Sequence, residues 1–119
     1  MGKSLLQEKS FLFAIRTVRL FKLLTETKKE FVMSKQLLRS GTAVGALIRE
    51  AQNAESKMDF IHKLSIAQKE CDEALYRLEL LKATDYVTET EYESIAKDNS
   101  ELLKMLKSSI LTVKQSIKK

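Results

Sequence analysis

Seven apolar residues, Phe60, Leu64, Ala67, Cys71, Ala74, Leu78 and Leu81, recur at alternating steps of four and three. That spacing lines them along one side of an α-helix; a strand would need alternation every second residue. A helix with one apolar stripe must bury it against another element. The rest of the chain reads as more helix. It contains no proline and three glycines in 119 residues, so little breaks the backbone. A second, looser seam runs through Ile95, Leu102, Leu106, Ile110, Val113 and Ile117.

Capping chemistry divides the chain. In "TKKE" (Thr27 to Glu30), "SKMD" (Ser56 to Asp59) and "TETE" (Thr88 to Glu91) a hydroxyl stands three residues before a carboxylate. This is the spacing of a capping box, strict for the two that end in Glu and loose for the one that ends in Asp. The marks predict helices over roughly 5–26, 28–54, 57–83 and 89–117. Short connections imply that successive helices run antiparallel. With 44% hydrophobic and 31% charged residues the chain is globular. The expectation is all-α: one domain over 1–119, an antiparallel up-down four-helix bundle.

The first segment is apolar round more of its circumference than one core needs, with Phe11, Leu12, Phe13, Ala14, Ile15, Val18, Leu20, Phe21, Leu23 and Leu24. It therefore reads as buried on two sides, by the bundle and by a second subunit. In the second segment, advancing 100° per residue gathers Lys28, Lys35, Arg39 and Arg49 on one stripe. Leu37, Gly41, Val44, Ile48 and Ala51 fall opposite, and Ser34, Leu38, Gly45 and Gln52 line a flank between them. Each interior glycine costs about 1 kcal/mol against alanine, so Gly41 and Gly45 point to a close helix approach. That approach is either inside the bundle or, for Gly45 with Leu38 and Ser34, against a neighbouring subunit.

Charge is unevenly spread. Residues 1–50 carry a surplus of six positive charges, 51–100 a deficit of five and 101–119 a surplus of four. Basic ends and an acidic middle suit an anionic partner or contacts between copies.

No catalytic constellation stands out. Asp59 and His62 have the i, i+3 spacing of a di-iron ligand pair, but such a site needs that motif on two helices and the chain has one histidine. Cys71 lies within a seam and reads as a buried, inert thiol. The cluster Glu70, Asp72 and Glu73 reads as a solvated face. No enzyme activity, metal or cofactor is expected. The apolar runs are too short to span a membrane, no signal-peptide pattern is visible, and a single cysteine suits the cytoplasm.

The run "SKQLLRSGTAVGALIREAQNAESKMDFIHKLSIAQKECDEALYRLELL" closely resembles the signature region of four-helix-bundle proteins encoded in intervening sequences of bacterial 23S rRNA genes. The features that carry the likeness are Gln36 to Gly41, Thr42 to Ile48, Glu50-Ala51, Ser56 with Asp59-Phe60, Lys63 with Ala67 and Glu70, and Leu78 to Leu81. Leu47 stands where many members have asparagine, and Tyr76-Arg77 where a tyrosine–tryptophan pair is common. The resemblance implies an up-down bundle that assembles as a homopentamer. It is similar to the accessory variability determinant of diversity-generating retroelements, a basic pentameric barrel that binds nucleic acid and a reverse transcriptase.

Two functions follow as expectations. The first is a homo-oligomer that binds RNA or DNA backbone through Arg16, Arg19 and Lys22 of helix 1 and Lys28, Lys35, Arg39 and Arg49 of helix 2. The second is a protein-binding scaffold, for example an accessory subunit of a reverse transcriptase.

Overall fold

A computed structural model describes residues 4–118. Four helices make up the bundle: α1 (Leu5–Glu26), α2 (Met33–Ala51), α3 (Lys57–Ala83) and α4 (Glu89–Ile117). The described residues contain no strand. The particle measures 52 × 24 × 21 Å.

Three of the four starts are capped by the hydroxyl of the N-cap residue. Ser4 and Gln7 form a reciprocal capping box at α1, and Thr88 and Glu91 form another at α4. At α3 the Ser56 hydroxyl accepts from the Asp59 N–H, while the Asp59 carboxylate accepts from Glu55 N–H at 3.2 Å. The loose box at α3 is therefore half a box, because Asp59 accepts from the N–H one residue before the N-cap.

The α2 start differs from the sequence expectation of residue 28. Thr27 closes α1 instead, its N–H donating to the Leu23 carbonyl at 2.9 Å. Lys29 then turns with φ of 56°, which no helix continues. Glu30 folds back and caps α2 itself: its carboxylate accepts from the N–H groups of Val32, Met33 and Ser34 at 3.1, 3.0 and 2.7 Å. Burial pushes the Glu30 carboxyl up, but those backbone bonds outweigh it and hold the group below its ordinary 4.5. The far end of α2 comes three residues early, at Ala51 rather than 54.

Both sequence seams reach the core. Leu64, Ala67, Cys71, Ala74, Leu78 and Leu81 from α3 are fully buried, as are Leu102 and Leu106 from α4. Phe60 and Val113 pack at the edge, and Ile117 is 42% exposed. Gly41 of α2 meets Thr17 of α1 and Gly45 meets Ser10, while Arg39 of α2 pairs with Glu70 of α3 and Glu50 with Lys63. Each helix packs on the next in sequence, and α1 closes the ring against α4 through the thinnest contact of the four.

At the α1–α2 contact Gly41 lies against Thr17 and Gly45 against Ser10. Ser10, Thr17, Ser34 and Ser40 are buried, yet each hydroxyl is satisfied by a carbonyl of its own helix or the turn before it. With no polar group left wanting, the two helices come close. Between α3 and α4, buried Asn99 donates its amide to the Cys71 carbonyl at 2.9 Å, and the Cys71 thiol donates to the Asn99 carbonyl at 3.5 Å. Burial, with a smaller contribution from Asp72, pushes that thiol up to about 12. An unionised, enclosed thiol has no nucleophilic chemistry at neutral pH.

Candidate nucleic-acid interface

The basic residues of α1 and α2 separate into two groups. Arg16 reaches across to α4, donating to Asp98 at 2.7 Å, to the Ser94 hydroxyl at 2.8 Å and to the Ser94 carbonyl at 3.1 Å. Arg39 reaches α3 and pairs with Glu70 at 3.2 Å. Both guanidinium groups are thus committed to holding helices together, which the sequence expectation of a free basic stripe did not include. Glu70, in turn, is an ion-pair partner and not simply a solvated acid. Lys28 stands in the α1–α2 connection, off the helix on which the stripe placed it. Thr88 hydrogen bonds chiefly hold the Glu91 carboxyl below 4.5, and the nearby Lys28 charge adds to that.

Arg19, Lys22, Lys35 and Arg49 remain exposed, and none of the ion pairs among the described residues takes them. Arg19 and Lys22 share the outward side of α1 with Leu5 and Leu12, both 59% exposed, and with the part-exposed Val18 and Leu23. Lys35 and Arg49 stand on α2.

Of the proposed packing residues, Gly41 and Ser34 are buried inside the chain. A Cβ on Gly41 would lie 2.6 Å from the Thr17 methyl, so this glycine serves the α1–α2 contact. Ser34 faces Glu30 and cannot line an outer flank. Gly45 and Leu38 are half-buried. Gly45 lies beside the Ser10 carbonyl, and also on the floor of an open groove of about 400 Å³ that Phe11, Ala14, Ala46 and Arg49 border. A second groove of about 450 Å³ runs between α1 and α4, with Arg16 and Arg19 on its rim and Leu20, Leu78 and Ile95 beneath.

His62 is exposed, and Asp59 is spent on the α3 cap. Among the described residues no group of three or more His, Cys, Asp or Glu gathers to hold a metal ion. Among the described residues no helix is long and apolar enough to cross a membrane. Leu47 packs part-buried against the core, and the Arg77 guanidinium lies 5.7 Å from the Tyr76 ring centre.

A further basic face lies outside the stripes expected on α1 and α2. Lys104, Lys107, Lys114 and Lys118 are exposed along α4 and its C-cap. The surplus of positive charge in residues 101–119 was its sequence signal.

Comparison with known proteins gives the following. The family described as 23S rRNA-intervening sequence protein matches residues 3–108. A crystal structure from Bacteroides thetaiotaomicron, described as a protein with unknown function from the S23 ribosomal protein family, is 55% identical. The match covers 89% of this chain and 98% of that one, with a TM-score of 0.89. No curated protein matches the chain.

Proposed function

Because the chain belongs to the 23S rRNA-intervening sequence protein family, we propose that it is a non-enzymatic, self-assembling protein that binds the phosphate backbone of RNA or DNA. The proposed unit is an antiparallel up-down bundle, and the proposed assembly is a pentamer acting in the cytoplasm. The observation that carries the reading is the outward side of α1. There Leu5, Leu12, Val18 and Leu23 are exposed on a bundle whose core is already filled. A second copy laid on that side removes this apolar surface from water. The exposed cations then supply the affinity for phosphates, since lysine and arginine neutralise backbone charge without reading bases. Several copies on one strand multiply a weak contact by avidity.

The test is binding of a labelled short hairpin RNA at two salt concentrations. If about four phosphates are neutralised, affinity falls on the order of a hundredfold for a fourfold rise in salt. A scrambled hairpin of the same shape binds equally well. Affinity that does not change with salt contradicts the reading. The apolar side of α1 equally suits a different protein as partner, such as a reverse transcriptase. An assembly that ignores RNA at both salt concentrations favours that scaffold role.

A further inference from the structure

Residues 101–119 contain one acidic side chain, Glu101, and it is taken by Lys9 of α1 at 3.1 Å. Lys104, Lys107, Lys114 and Lys118 are all exposed, and none is engaged by the ion pairs among the described residues. At 100° per residue these four lie within roughly 80° of one another, a stripe about 21 Å long. Leu102, Leu106 and Ile110 occupy the core side of the helix. Glu101 and Asp98, which reach α1, lie roughly 100° and 160° from the centre of the stripe. The stripe therefore stays open when a second copy covers the outward side of α1. Arg19 and Lys22, on that side, do not.

We propose that this α4 lysine stripe is the main phosphate-contact surface of the protein, and that its partner is a nucleic-acid backbone. The proposal rests on the phosphate-binding function above and names the side chains that perform it. Lysines on flexible stems suit a row of phosphates, which asks for point charges and not for a fixed bidentate geometry. A protein partner is a poorer fit: interfaces are anchored by Trp, Tyr and Arg and depleted in lysine, and the stripe contains none of those anchors. A membrane surface is a poorer fit too. A helix lying in that interface inserts an apolar face, whereas here that face is spent on the core, leaving Leu111 and Ile117 exposed. Half of the stripe, Lys114 and Lys118, lies beyond the region that matches the family.

The experiment uses the full chain and two variants, with circular dichroism and light scattering to show that fold and assembly are kept. One variant changes Lys104, Lys107, Lys114 and Lys118 to Gln, the other Arg19, Lys22, Lys35 and Arg49 to Gln. Each is titrated with the labelled hairpin RNA across a range of salt. The α4 variant is expected to lose about tenfold or more in affinity at low salt. Its log–log salt slope falls by about 3 to 4, the mark of lost phosphate contacts. The α1–α2 variant loses less. The reverse order, with the α4 variant binding like wild type, overturns this inference and leaves the phosphate-binding function standing. A wild-type protein that binds no RNA at any salt overturns both. Capture by vesicles containing phosphatidylserine, lost in the α4 variant and without RNA binding, overturns the choice of partner.

Discussion

Gly41 and Gly45 lie one helical turn apart, yet the structure gives them unequal neighbours. A methyl on Gly41 would lie 2.6 Å from one Thr17 side-chain atom and 2.7 Å from another, and Thr17 is itself fully buried with its hydroxyl bonded to Phe13. Neither side has room to give. Gly41→Ala is expected to cost about 1–3 kcal/mol by overpacking, in spite of the gain in helix propensity. At Gly45 the nearest atom, the Ser10 carbonyl oxygen, is 3.4 Å away, an ordinary contact distance. Gly45→Ala is therefore expected to be neutral or to stabilise by up to about 1 kcal/mol. Urea unfolding of both variants checks this, and a Gly41 variant as stable as the Gly45 variant would refute the packing account. The sequence marks both glycines as sites of close approach. It does not name Thr17 as the neighbour, because that residue lies on another helix and the register between helices is a property of the fold. Arg16 and Arg39 escape sequence reading for the same reason, since their acidic partners are far along the chain.

At the scale of the helix, α2 carries the clearest lesson. A hydroxyl three residues before a carboxylate marks a helix boundary, but it does not say which of two flanking helices uses which residue. In "TKKE" the threonine ends α1 and the glutamate begins α2, with a left-handed Lys29 between them. The α3 and α4 seams were legible because heptad spacing over several turns leaves little choice of buried face. Glu30 gives a test of its own. Its carboxyl is held below 4.5 in the folded chain. The stabilisation is therefore present above that value and lost as pH falls through the lower, folded one. Glu30→Gln is expected to cost about 1 kcal/mol near neutral pH, the scale of a lost helix cap. It should also flatten the acid limb of the stability profile. Urea midpoints at neutral and acid pH measure this; a variant with the same acid limb as wild type would show that Glu30 is not the cap.

For the whole molecule, the uneven charge and the apolar outer side of α1 belong to one account. Ion pairs draw Lys9 and Arg16 of α1 onto acids of α4, and Arg39 of α2 onto α3. Unpaired cations remain exposed on α2 and α4 as well as at Arg19 and Lys22 of α1, and Leu5, Leu12, Val18 and Leu23 leave apolar surface on the outside of α1. In the proposed function, self-association through α1 and phosphate contact through α2 and α4 use different surfaces of one bundle. The measurement that tests this most directly is light scattering on the wild-type chain and on Leu12→Glu/Val18→Glu, two substitutions at exposed positions outside the core. The account predicts a wild-type particle about five times the 13.6 kDa chain. It predicts a variant with unchanged helix content that falls to the mass of one chain, because two buried carboxylates facing a second copy cannot be accommodated. A wild-type protein of single-chain mass, or a variant that assembles as well as wild type, would contradict it.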